Sequence, residues 1–290
     1  MNFKKLNIQI LKIGILLSIP IFISAYDKTQ VSPQEIITNM SSSIENIKTL
    51  KYKLKKKERI EDEYKLGEQE VKYNRSPRKI YTKISLPNKG VEVLFREGEN
   101  NNKAFVNPNA FPYITLTLDP FGSTMRNNNH HTVYEVGFDY INSIVSQISK
   151  KSGKDFQKYF LYKGDTLYNN KDCYKILIDY TPFKYENYTV KAGESVKDIG
   201  YKYFISDYMI LEINEDIDDY DDVEPGQIIK IPNAYARKTL LCIEKKTNLP
   251  LLQAMYDEKG LFAQYEFYNV QVNPIITEAE FTKSYKDYNF

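Results

Sequence analysis

Leu50-Lys51-Tyr52-Lys53-Leu54-Lys55 sets an apolar or aromatic side chain against a lysine at every step. Successive side chains of a strand leave opposite faces, so a period of two predicts a β-strand with one dry and one wet face. Upstream, Ser32-Pro33-Gln34-Glu35 has capping-box spacing with Pro at the first helical position, and Ile36, Ile37, Met40, Ile44 and Ile47 recur on one side. This predicts one amphipathic helix. Downstream, punctuation by Gly, Pro and Asn separates expected strands at 64–73, 79–84, 91–96, 103–106 and 113–118. Phe138, Ile141, Ile144, Val145 and Ile148 mark a second amphipathic helix, and strands are expected again at 159–167, 173–180, 238–245, 251–257 and 261–272. Short connections favour antiparallel pairing. The apolar face of such a sheet needs cover, and the two helices are what is available. The expected class is α+β, a curved antiparallel sheet or incomplete β-barrel wrapped over amphipathic helices. An apolar cavity between sheet and helices and a fully packed core both satisfy the pattern.

At the amino end, Lys4, Lys5 and Lys12 precede an apolar run, residues 13–23, that closes on Ser24-Ala25. That is the pattern of a signal peptide spanning 1–25, cleaved after Ala25, which predicts an exported protein of the periplasm or cell envelope. The run is short for a membrane span and contains Pro20, and no Cys follows it to carry a lipid. The chain is +2, so losing three lysines leaves −1, a balance that does not suggest nucleic acid. Cys173 and Cys242 fall in strands expected to be neighbours. In an oxidising compartment they read either as a disulfide or as two small buried hydrophobes.

Composition shifts sharply between Tyr188 and Asn233, where eleven carboxylates face four lysines, a net −7 against +6 for the rest of the mature chain. Tyr188-Thr189-Val190 reads as a short strand broken by Gly193. Ser195 can cap a helix carrying Val196, Ile199 and Tyr203, and Met209, Ile210 and Ile213 sit in a second. A turn at Pro225-Gly226 then feeds a strand at 228–231 that stops at Pro232.

Tyr188-Thr189-Val190-Lys191-Ala192-Gly193-Glu194-Ser195-Val196, Asn214, and Pro225-Gly226-Gln227-Ile228-Ile229-Lys230-Ile231-Pro232 together resemble a LysM domain. The resemblance implies a βααβ unit that binds the N-acetylglucosamine backbone of peptidoglycan or chitin. Its groove would set Gly193, Glu194, Ser195 and Val196 against Ile213, Asn214, Glu215 and Asp216. The Pro that usually follows the Asn in that family is Glu215 here, and a heavily acidic stretch comes next. Around the insert, the run from Ser85 to Phe95 with Gly98-Glu99-Asn100, Val106-Asn107-Pro108, Leu118-Asp119-Pro120 and Gly137-Phe138 is similar to an uncharacterised family of exported bacterial proteins. That family is related in fold to the periplasmic lipoprotein carriers of the Lol system. The resemblance implies a half-barrel able to hold a lipid or lipoprotein, built from residues 26–187 and 234–290 and interrupted by a module at 188–233. Inserted between two strands of a hairpin, the module is expected to project from the sheet edge on a stalk at 181–187.

No Gly-x-Ser-x-Gly, zinc-protease helix or P-loop occurs, and no cofactor or metal is called for. His130 and His131, the two histidines, have Asp119, Glu135 and Asp139 nearby in sequence as partners for a polar site, against a plain loop or core role. The lysine-rich run from Lys48 to Arg59 reads as a solvated strand face, and most of the 25 tyrosines as cover for the sheet. The leading expectation is a non-enzymatic envelope protein that binds an apolar ligand in the half-barrel while the LysM module docks to peptidoglycan. The alternative is a structural, wall-anchored interaction protein with a filled core.

Overall fold

A computed structural model describes residues 31–290, and the expected signal peptide lies outside the described residues. Helix α1 (Pro33–Glu45) starts where the sequence says, with the Ser32 hydroxyl accepting from the Glu35 amide at 3.1 Å. The strands β1 (Thr49–Ile60), β2 (Glu63–Asn74), β3 (Lys79–Leu86), β4 (Glu92–Arg96), β5 (Ala104–Asn107) and β6 (Leu116–Leu118) then form a meander. A cover segment carrying the single turn α2 (Ser123–Arg126) leads to α3 (Asp139–Ser152) and the short α4 (Phe156–Tyr159). Strands β7 (Phe160–Tyr168) and β8 (Lys171–Asp179) follow. After an insert, β11 (Lys238–Glu244), β12 (Pro250–Asp257) and β13 (Gly260–Val272) complete one antiparallel sheet of order β6-β5-β4-β3-β2-β1-β13-β12-β11-β8-β7. Its edge strands do not pair with each other, so the barrel stays open.

Period two decides what faces inward. Leu50, Tyr52 and Leu54 of β1 point to the concave face, where Leu54 lies opposite Phe267 of β13 and Tyr52 opposite Val71 of β2. Ile141, Ile144, Val145 and Ile148 of α3 are buried beneath them, and the rings of Tyr52, Phe138 and Phe267 meet with centroids 4.4 to 6.3 Å apart. Burying side chains of this size contributes roughly 1.5–3 kcal/mol each. On the outer face the β1 lysines answer acids of β2, Lys53–Glu70 at 2.7 Å and Lys55–Glu68 at 3.8 Å. The carboxyl-terminal residues strap across that outer face, with Phe281 packed on Tyr81 and Leu94 and Glu280 bonded to Lys51 and Lys72.

The insert contains β9 (Tyr185–Thr189), α5 (Val196–Tyr203), α6 (Asp207–Ile213) and β10 (Ile228–Pro232), with β9 and β10 paired in a sheet of their own. Val190, Val196, Ile199, Ile205, Ile210, Ile217, Ile229 and Ile231 form a separate small core. It leaves and re-enters between β8 and β11, which remain a registered pair.

One expectation is corrected. The module does not stand off the sheet on a stalk: α6 lies against the host, and residues 32–290 form one compact unit. Arginines provide the reason: host Arg59 pairs with Glu212 of α6 and with Asp257, and host Arg126 pairs with Asp207 of α6. The cysteines, read from sequence either as a disulfide or as two small buried hydrophobes, are unbonded in this structure. Both are free and buried, because the register pairs Cys173 with Glu244 and Cys242 with Lys175, leaving the thiols diagonal rather than opposite.

Candidate functional site

The space between sheet and helix is not filled. A cavity of about 170 Å³ lies between the concave face, α3 and the cover segment at 120–140. Part of the wall is apolar, formed by Leu54, Ile84, Val93, Ile144, Met255 and Phe267, with Gln69 and Thr82 set among them by the register. Another part is charged because β1 continues its alternation past Leu54: the next inward side chains are Lys56 and Glu58. The Lys56 ammonium bonds the Glu58 carboxylate at 2.5 Å and also the Asn129 side-chain oxygen, and the Tyr265 hydroxyl donates to the other Glu58 oxygen at 2.6 Å. Burial opposes the charge on Glu58, but Lys56 outweighs it and holds the carboxyl down at about 2.

The histidines divide. His131 lines the cavity and shares a 3.0 Å hydrogen bond with the Tyr235 hydroxyl. Burial pushes its imidazole down to about 3, so at neutral pH it is uncharged and a poor base. His130 turns away. Its Nε2 donates to the Arg59 carbonyl at 2.7 Å and its ring is sandwiched between Tyr208 and Phe262 at 4.6 and 4.3 Å. None of the three carboxylates considered from sequence bonds either ring. Asp139 is engaged by Tyr73 and Arg75, and Asp119 caps the Phe121 amide at 2.8 Å. Glu135 does line the cavity, bonded by the Thr132 hydroxyl at 2.7 Å, and burial pushes its carboxyl up to about 7. Glu58, the carboxylate that the histidines do approach, is 72 positions upstream of His130 and carries no local signal of that role. Among the described residues, no group of three His, Cys, Asp or Glu is placed to hold a metal ion.

The module backs the cavity's cover. Arg126 grips Asp207 of α6 with two nitrogens at 2.8 and 2.9 Å, and its guanidinium lies 3.7 Å from the Tyr220 ring centre. Tyr140, on the cavity wall, donates to the Ile205 carbonyl at 3.3 Å. Arg59 spans Glu212 of α6 and Asp257 of β12, with Lys259 a second cation on Glu212 at 3.1 Å. Arginine's planar fork suits two-carboxylate work that a lysine could not copy.

The residues expected in a sugar groove take mixed positions. Gly193 is exposed at φ +77°, a left-handed turn where a side chain would be strained. Glu194 is tied to Lys202 at 2.6 Å and to the Tyr188 hydroxyl at 2.6 Å, which hold its carboxyl near 2. Ser195 caps α5 reciprocally with Asp198. Val196 is core, and its amide is spent on the Tyr220 carbonyl at 2.9 Å. Asn214 is buried and stitches α6 to β10 by bonding both the amide and the carbonyl of Lys230 at 2.8 Å. Ile213 is half-buried, and Glu215 and Asp216 are exposed.

No helix among the described residues is long and apolar enough to cross a membrane. Comparison with known proteins finds a LysM domain model matching residues 188–232. No curated protein is significantly similar. Solved structures with a similar arrangement include a DUF1329 family protein from Desulfovibrio piger, 11% identical, with 87% of this chain and 96% of that one covered at a TM-score of 0.36. A LolA superfamily protein from Nitrosomonas europaea is 9% identical, with 88% and 100% covered and a TM-score of 0.34. The lipoprotein LppX from Mycobacterium tuberculosis is 8% identical, with 85% and 100% covered and a TM-score of 0.39. The model described as "Protein of unknown function (DUF1571)" matches residues 47–205, from the first strand of the half-barrel into the insert, and by that match the chain belongs to the DUF1571 family and carries a LysM domain within it.

Proposed function

We propose that the chain is a non-enzymatic protein of the cell envelope, exported by residues 1–25, whose half-barrel of 26–187 and 234–290 holds an apolar ligand while the LysM module at 188–233 engages peptidoglycan. The observation that carries this reading is the cavity of about 170 Å³, lined by apolar and by hydrogen-bonding side chains. Mixed lining of this kind suits an amphiphile. Its size matters: an engineered cavity of about 150 Å³ takes a benzene ring, so this one takes a ring or a chain end, and a whole lipid tail would have to displace the cover segment. Half-buried, uncharged His131 bonded to Tyr235 suits a wall better than a catalytic base. For the module, the support is the LysM match together with the exposure of the Gly193 turn and of Glu215 and Asp216.

The test is to purify the mature chain from its native envelope and analyse a solvent extract by mass spectrometry, alongside Ile144→Trp. A lipid or lipid-like compound carried by the natural protein and missing from the variant is expected. Repeated absence from both would overturn the ligand half. Sedimentation of the full mature chain with purified peptidoglycan tests the other half, and no enrichment over a control protein would sink it.

A further inference from the structure

The charged part of the cavity wall is balanced, and balance of this kind selects a head group. Resting on the reading that the half-barrel holds an apolar ligand, we infer that the site prefers an amphiphile headed by an uncharged hydrogen-bonding group, an alcohol or a primary amide, over its carboxylate or ammonium counterpart. Lys56 and Glu58 supply one positive and one negative charge in direct contact, and each has a further neutral partner, Asn129 and Tyr265. An incoming ion therefore meets no unpaired opposite charge. Stripping an ion of water without such a partner is strongly unfavourable, whereas a neutral head loses only what its hydrogen bonds restore.

The wall offers those bonds. The Thr82 hydroxyl donates to the Gln69 side-chain oxygen at 3.2 Å, which leaves the Gln69 amide hydrogens as donors among the described residues. The Gln253 amide nitrogen donates to the Pro250 carbonyl at 3.4 Å, which leaves its oxygen as an acceptor. Both glutamines line the cavity, Gln253 paired across the sheet with Tyr265 and Gln69 with Leu54 three strands away, so the wall offers an acceptor beside the charged pair and a donor farther along. Glu135 preserves the balance while it is protonated: burial pushes its carboxyl up to about 7, so below that pH it adds no charge to the wall, and above it the extra carboxylate favours an ammonium.

Binding of hexanol, hexanamide, hexanoate, hexylamine and benzene to the mature chain at pH 6, where Glu135 is protonated, followed through the methyl resonances of Ile144 and Met255, tests the inference. Hexanol and hexanamide are expected to bind at least tenfold more tightly than hexanoate or hexylammonium. Hexanoate binding as tightly as hexanol overturns the head-group preference, and so does benzene binding with no preference among the headed compounds, although the apolar-cavity reading then stands. No perturbation by any of the five overturns both. Glu58→Gln leaves Lys56 unbalanced and should raise the hexanoate-to-hexanol affinity ratio at least tenfold. Lys56→Gln, for use if the first variant does not fold, should raise the hexylammonium-to-hexanol ratio instead. An unchanged ratio in a folded variant refutes the charge-balance argument.

Discussion

Glu135 shows how one side chain ties the cavity to pH. Burial pushes its carboxyl up to about 7, against the hydrogen bonds from Thr132, with Asp207 of the module adding to the rise. In the unfolded chain it titrates near 4.3. A folded value above the unfolded one means that the fold favours the protonated form. The contribution is complete below about pH 4.3 and is lost as pH rises through about 7. Urea unfolding from pH 4.5 to 8 should therefore show the natural protein losing on the order of 2 kcal/mol relative to Glu135→Gln, and parallel curves would refute this. Glu58 behaves in the opposite sense. Held at about 2, it stabilises above its unfolded value and loses that contribution only as pH falls toward 2. Single residues were also the hardest to read in advance. Arg59 looks like the last member of a wet lysine run, and Arg126 like a loop cation. Both are buried, because the partner that neutralises each sits on an element far away in the chain.

Helix α6 is the element on which the module's placement turns. It presents Asp207 to Arg126 and Glu212 to Arg59, and Tyr208 donates its hydroxyl to neither but accepts from the Glu61 amide at 2.9 Å. Removing one member of a buried ion pair strands the other, so Arg126→Met should cost roughly 3 kcal/mol of stability. A double-mutant cycle with Asp207→Leu should return a coupling of at least about 1.5 kcal/mol, and additive losses would show that the pair does not act as a unit. Asp207→Asn combined with Glu212→Gln should release the module without unfolding its own core. Limited proteolysis within residues 181–187 would then quicken while circular dichroism stays nearly unchanged. Equal cleavage rates would argue that apolar contacts, not these charges, hold α6 in place. The helix itself was legible from Met209, Ile210 and Ile213, since an amphipathic period is local. What its polar face would meet was not.

Across the whole molecule, acidic insert and basic host meet at the surface where their buried charges pair, so the contrast in composition serves an internal contact before any external one. The cavity is the second whole-molecule property, since sheet, α3 and cover segment each supply a wall. Ile144→Trp should fill it by overpacking, abolish uptake of an apolar fluorescent probe and change stability by about 1–3 kcal/mol, as thermal unfolding would show. Probe uptake equal to that of the natural protein would mean that binding occurs elsewhere. The alternation of Leu50, Tyr52 and Leu54, the capped helix after Ser32 and the α3 stripe determined an antiparallel half-barrel over helices, and the turn and strand motifs determined a LysM domain set between β8 and β11. The sheet and helices follow from sequence alone because periodicity and capping act over a few residues, and the LysM domain follows from the resemblance of its motifs to that family. Only the tertiary structure decided that Lys56 and Glu58 carry the alternation into the cavity, that the residues after Val272 strap the outer face, that the cysteines are diagonal, and that the module lies down on Arg59 and Arg126 rather than standing off. Each of those depends on register or on a buried charge finding its counterpart across the fold, and neither leaves a mark in neighbouring residues.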